Sequence, residues 1–147
     1  MPVNIVRATI RDLWAVTRLA LLLWPAHETQ ALYEEMQCGV EDPERALFVA
    51  KADGIAVGFA LCSLRHDYVE GTDSNPVGYL EGIYVEENYR GKHIGTVLVK
   101  ACEGFAGEQG CTEFASDCEL HNQYSIHFHQ HTGFSEVNRI VCFVKKL

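Results

Sequence analysis

The sequence has no apolar run approaching the ~20 residues that a membrane span requires. LALLLW at 19–24 is too short, and its neighbours carry charge. Also missing is a basic N-terminal stretch followed by an apolar segment and a cleavage site, so no secretory signal is predicted and a cytoplasmic protein is expected. No cysteines stand close together: the six, at 38, 62, 102, 111, 118 and 142, include no C-x-x-C spacing. Without an export signal they read as free, buried thiols rather than a disulfide framework. Positive charge is scarce, with 12 Lys and Arg against 20 Asp and Glu, a net charge of −8. That argues against nucleic acid, whose phosphates must be met by clustered Lys and Arg. It suits a cationic small molecule, or simply a solubilising surface. No repeat, low-complexity tract or linker divides the chain, and 147 residues make one domain, 1–147.

What is present is a sequence of short periodic segments. VNIVRAT at 3–9 predicts a strand. Asp12 is placed to cap a helix in which Leu13, Val16, Leu19, Ala20 and Leu23 recur at helical spacing, ended near Pro25. A second short helix is predicted over 28–38. ALFVAKA (46–52), the Asp53-Gly54 turn signal and IAVGFALCSLR (55–65) form a hairpin. The polar stretch 66–76 is a loop, and VGYLEGIYV (77–85) is the next strand. Its interior glycine, Gly82, marks a bulge or a close backbone approach. A helix follows from about 93 to 107, then a strand at 111–117, a helix at 122–132 capped by Gly133, and one or two strands in FSEVNRIVCFVKKL. The order β-α-α-β-β-β-α-β-α-β is that of an α+β sheet domain.

VEENYRGKHIG at 85–95 carries the first chemical signal. Gly91 and Gly95 permit a tight turn, Arg90 and Lys92 place positive charge beside it, and the helix that follows points unpaired N–H groups outward. That combination suits an anion, most often a phosphate.

Arg90-Gly91-Lys92-His93-Ile94-Gly95 after a strand and before a helix resembles the acetyl-CoA signature of the GNAT superfamily of N-acetyltransferases, with His93 in place of the usual middle glycine. Asn122, Ser125, His129 and Gly133-Phe134 keep the spacing of the family's later helix and strand. SLRHDYVEGTDSNP, YLEGIYV, EFASD and LLLWP resemble the aminoglycoside 6'-N-acetyltransferases built from one small domain per subunit. The resemblance covers essentially the whole chain. It implies the acyl-CoA N-acyltransferase fold, a mixed, mostly antiparallel sheet splayed between its fourth and fifth strands and flanked by helices. It also implies acetyl-CoA as cosubstrate, an aminoglycoside substrate, resistance to kanamycin-, tobramycin- or amikacin-like drugs, and a homodimer in which IVCFV is a plausible contact.

The resemblance assigns roles. Backbone N–H groups of Gly91, Lys92, His93, Ile94, Gly95 and Thr96, with charge from Arg90, hold the CoA pyrophosphate. The pantetheine arm lies along Ile83, Tyr84 and Val85, freed by a bulge near Gly82, and the N–H of Ile83 faces the thioester oxygen. Asn122 and Ser125 fall in the second cofactor stretch. Many family members use a tyrosine seven residues after this asparagine as general acid; here the position is His129, which can donate a proton or hydrogen-bond the sulfur. Glu81 and Asp117 are candidates for taking the ammonium proton, directly or through water, and for attracting a cationic sugar. Asp67, Glu70 and Asp73 widen that field, Trp24 and Tyr68 pack on sugar rings, and Glu136 is a further acidic candidate.

Other readings stay open on sequence alone. The same fold can acetylate another polyamine or a protein amine, or bind CoA or a cation without catalysis as a sensor. His127 and His131, four apart on one helical face, have the spacing of a zinc pair, but no third ligand pattern accompanies them, so no metal is predicted. The remaining histidines read as helix-surface or subunit-contact residues.

Overall fold

The computed structural model describes residues 2–147. Its sheet contains β1 (Val3–Arg7), β2 (Arg45–Ala52), β3 (Ile55–Arg65), β4 (Val77–Val85) and β5 (Phe114–Ser116), adjacent in space in that order. The first four pair antiparallel and β5 joins β4 in parallel. The helices are α1 (Leu13–Leu23), α2 (Thr29–Glu41), α3 (Ile94–Glu108) and α4 (Gln123–His131). The mixed, mostly antiparallel α+β architecture expected from the sequence is the one observed.

Alternation along the strands feeds two cores. Leu47, Val49, Phe59 and Leu61 face α1 and α2, where Val16, Leu19, Leu32 and Met36 meet them, all fully buried or nearly so. Ala46, Ala60, Cys62 and Leu80 face the other way onto Leu98, Val99 and Cys102 of α3. Each large apolar side chain so buried contributes about 1.5–3 kcal/mol. The hairpin between β2 and β3 turns at Asp53 and Gly54, whose φ of 49° and 77° give the left-handed pair that matches the strand twist.

Four expectations need correction. Asp12 does not cap α1: its carboxylate accepts from the Thr9 N–H at 2.8 Å and pairs with Lys51 at 2.8 Å, closing a 3-10 turn at Ile10–Asp12 instead. The strand predicted over 111–117 is only Phe114–Ser116. The Cys111 N–H bonds back to Ala106 in α3, so the chain joins the sheet late. Residues 135–147 contain no strand, since no sheet edge of this chain takes them up and their apolar side chains face outward. All six cysteines are unbridged, but only Cys62 and Cys102 are buried, and Cys38, Cys118 and Cys142 are exposed.

Candidate active site

The site starts from a register shift in β4. Leu61 pairs with Gly82 and Cys62 with Leu80, leaving Glu81 as the extra residue of a bulge. Without it, Leu80 and Ile83 would fall on opposite faces; with it both join the α3-side core. The bulge therefore sends Glu81 out on the other face, toward Ser63 and Arg65 of β3. Gly82 sits under the indole of Trp24. A Cβ there would lie 2.7 Å from indole Cζ2, so only glycine admits the ring this close. Trp24 thus covers the bulge and packs edge-on to Phe59 at 6.3 Å.

β4 pairs with β5 only from Gly78 to Leu80 but runs on to Val85. The Glu86 N–H bonds to the Val57 carbonyl. Counting back through the antiparallel alternation, Tyr84 and Gly82 direct their backbone groups at β3, while Ile83 and Val85 turn theirs away from it. Those groups face the gap left where β5 stops. One is taken: the Val85 carbonyl accepts from Arg90 Nε at 2.8 Å.

The bulged carboxylate is the centre of a network. Glu81 Oε2 accepts from the Ser63 hydroxyl and from Arg65 Nε at 3.0 Å, and Oε1 accepts from Arg65 Nη2 at 2.7 Å. Burial pushes the Glu81 carboxyl up, but Arg65 and Ser63 more than offset it, and the group is held below its usual range as an anion. The Arg65 guanidinium lies 3.5 Å above the Tyr79 ring, and the Tyr79 hydroxyl donates to Asp117 Oδ2. Burial and that bond raise the phenol, so Tyr79 stays a neutral donor. Glu81, Arg65 and Ser63 line an open cavity of about 560 Å³ with Tyr68, Glu35, Asp42, Glu44 and Asp67 around it. Carboxylates outnumber guanidiniums on its walls, which favours a cationic occupant.

The turn at 90–95 ends in α3. Gly91 has φ 75°, and His93, the residue preceding the helix, has φ 65° and ψ 11°. A glycine is at home in that left-handed conformation, whereas His93 adopts it with its side chain exposed. The first intrahelical bond is Val97 N–H to the His93 carbonyl, so the N–H groups of Ile94, Gly95 and Thr96 have no helical acceptor. Gly95 lies against Phe128 of α4, where a Cβ would come within 2.7 Å of the ring. The Arg90 guanidinium lies between the Tyr84 and Tyr124 rings, 5.3 and 5.4 Å from their centroids, instead of standing free beside the turn.

α4 carries His129. Its Nδ1–H donates to the Ser125 carbonyl at 2.7 Å, and Nε2 faces the Ser116 hydroxyl at 2.8 Å, just where β4–β5 pairing ends. The Asn122 side chain accepts from the Ser125 N–H at 3.1 Å and caps α4. His121, His127 and His131 are exposed, and among the described residues no cluster of three or more His, Cys, Asp or Glu is arranged to hold a metal.

The candidate residues are thus only partly gathered. Glu81, Asp117 and the Ile83 edge lie on or beside β4, and Tyr68, 76% exposed, stands at the cavity rim. Glu136 lies in the C-terminal segment with both oxygens on Arg139, at 2.9 and 3.0 Å. Of the loop acids, Asp67 lines the cavity, Glu70 accepts from Asn138 at 2.6 Å, and Asp73 gives its N–H to Glu113 at 2.9 Å. Ser63, Arg65, Tyr79 and Ser116 escaped sequence reasoning. One signal was available: Ser63 and Arg65 are polar at the strand positions that continue the inward face of Phe59 and Leu61.

Residues 10–134 match the model of the acetyltransferase (GNAT) family. The aminoglycoside N(6')-acetyltransferase type 1 of Stenotrophomonas maltophilia is 41% identical over 138 residues, 93% of this chain and 89% of that protein. Its namesake from Salmonella typhimurium strain LT2 is 37% identical over 146 residues, 99% of each chain. The solved structure of AAC(6')-Iy with the bisubstrate analog CoA-S-monomethyl-acetylneamine covers the whole of both chains with a TM-score of 0.95 at 35% identity. The chain therefore belongs to the GNAT family of acetyltransferases. Both of the relatives above are aminoglycoside N(6')-acetyltransferases, and the fold is shared over its full length with AAC(6')-Iy.

Proposed function

We propose that the protein transfers the acetyl group of acetyl-CoA to the 6'-amine of an aminoglycoside, by direct attack with both substrates bound, and so confers resistance. The observation that carries this reading is the open edge of β4 beside an acid-rich cavity: one side suits an extended amide-bearing arm, the other a polycationic sugar. Two features fit CoA. The free N–H groups at the start of α3 suit a pyrophosphate, and the outward-turned backbone of Ile83 and Val85 suits the arm's amides. When bound, acetyl-CoA supplies the activated acyl carbon.

The chain's own groups then divide the work. The Ile83 N–H stabilises negative charge on the carbonyl oxygen. Glu81 and Asp117 hold the ammonium and accept its proton, directly or through water. Glu81, held as an anion, is a stronger ligand for the cation than a base. His129, with Nδ1–H fixed on Ser125, presents Nε2 toward the end of the gap, where its protonated form returns a proton to the thiolate. Trp24 and Tyr68 provide flat surfaces for sugar rings. A cytoplasmic location goes with this reading, since acetyl-CoA is kept there. We also read the protein as a homodimer, because Ile140, Val141, Phe143 and Val144 are 69–93% exposed in a segment with no strand partner.

The test is thiol release from acetyl-CoA with aminoglycosides bearing a 6'-amine or a 6'-hydroxyl. Turnover with the amine and its loss with the hydroxyl are expected. Equal turnover with both would overturn the 6' assignment, and tight binding of both substrates without thiol release would make the protein a sensor.

A further inference from the structure

We propose that Arg65 is the positioning residue of the acidic site: its guanidinium clamps Glu81 in one orientation and, through Tyr79, fixes Asp117 relative to it. This rests on the acetyl-transfer reading above. The geometry is specific. A carboxylate offers about four acceptor positions. Three on Glu81 are filled, by Ser63 Oγ and Arg65 Nε on Oε2 and by Arg65 Nη2 on Oε1. The single open position lies on Oε1, so an incoming ammonium meets a carboxylate with one place and one direction available. The bidentate fork sets the plane of the carboxylate, as a lysine's point charge does not. The same guanidinium lies 3.5 Å over Tyr79, whose hydroxyl holds Asp117, so one side chain links both candidate carboxylates although one sits on β4 and the other just past the end of β5.

A cation in a site built for cations is otherwise paradoxical. By charge alone Arg65 opposes the substrate, and its removal would tighten binding. Its presence makes sense if orientation is worth more than attraction, because small misplacements of a catalytic group cost large factors in rate. The other ionisable groups around Glu81 do not supply this hold. Arg45 on β2 acts only through space, Glu35 on α2 and Asp42 and Glu44 before β2 are repulsive, and His66 is paired with Glu44 at 3.0 Å.

The experiment compares the parent, Arg65→Ala, Arg65→Lys and the same two changes in a Glu81→Gln background. Steady-state kinetics are measured from pH 5 to 9, with thermal melts confirming that each variant is folded. Positioning predicts that Arg65→Ala lowers kcat about tenfold or more while KM for the cationic substrate stays level or falls. It predicts that the acid limb of kcat/KM moves to higher pH, that Arg65→Lys does not restore kcat, and that the loss vanishes in Glu81→Gln. Full rescue by lysine would reduce Arg65 to a charge. A rise in kcat/KM on Arg65→Ala would make it a competitor that substrate must displace. Either overturns the proposal, as does additive behaviour with Glu81→Gln. A carbon-13 titration of the Glu81 carboxyl in parent and Arg65→Ala needs no turnover. It shows an upward shift if the clamp exists, even should the parent prove inactive on aminoglycosides.

Discussion

The two edges of β4 are built differently. Toward β3 it makes eight residue pairs, from Val77–Arg65 to Val85–Gly58, interrupted only by the bulge at Glu81. Toward β5 it makes three and then stops. The first edge lies between two packed cores and its side chains are largely buried; the second leaves Ile83 and Val85 with backbone groups facing a gap. The contrast shows how a marginally stable domain can keep unpaired backbone ready for a ligand. The complete ladder on one side supplies the cohesion that lets the other side remain open.

Proline scanning breaks this comparison most sharply. In Ile83→Pro the lost N–H belongs to the open edge, so the ladder to β3 survives, as proline is tolerated where the N–H faces outward. The expected result is a fall of about 10²–10³ in kcat through loss of the donor to the carbonyl oxygen, with the protein still folded. In Tyr84→Pro the lost N–H belongs to the closed edge and leaves the fully buried Phe59 short of a partner, at a cost of about 1–3 kcal/mol. Thermal melts and thiol-release assays on both separate the edges. Parental turnover in Ile83→Pro would show that the open N–H is not used.

The C-terminal segment presents the converse situation: β4 has an edge without a strand, and 140–144 has strand-forming residues without an edge. Deleting 140–147 is expected to halve the mass measured by sedimentation or light scattering while leaving the monomer's fold intact, because Phe143 and Val144, 92% and 93% exposed, contribute nothing to either core. A full-length chain that sediments as a monomer would end the homodimer reading.

The parts legible in the sequence are those fixed by local pattern. Apolar runs bounded by turn and loop signals marked β3 and β4 to the residue, helical spacing marked α1 and α3 within a residue or two, and Asp53-Gly54 marked the hairpin. What stayed hidden depends on register between distant strands. Ser63 meets Glu81 18 residues away, and Tyr79 meets Asp117 38 residues away. No local spacing encodes either, so the acids were visible but their partners were not. The terminal strands failed for the related reason that IVCFV has the right composition, but a strand exists only where something pairs with it.

The smallest expected effect compares two ion pairs, one in the framework and one outside it. Glu81 and Arg65 join β4 to β3, whereas Glu136 and Arg139 join neighbouring residues of the exposed C-terminal segment. In both, the arginine holds the carboxyl below its usual 4.5, although for Glu81 burial works against this. A carboxyl depressed in the folded state stabilises it at pH values above the unfolded pKa, and the contribution is lost as pH falls through the folded value. Arg65→Ala is therefore expected to lower the melting temperature near pH 7, with the gap to the parent narrowing below about pH 4.5. Because Arg65 is 42% exposed, the full gap should correspond to about 1 kcal/mol or less, a few degrees at most. Arg139→Ala should leave the melting curve unchanged at every pH, since its pair is solvated and local. If the two variants melt alike across the range, the pairing across β3 and β4 adds no more cohesion than a contact in the exposed segment, and the clamp on Glu81 serves orientation alone.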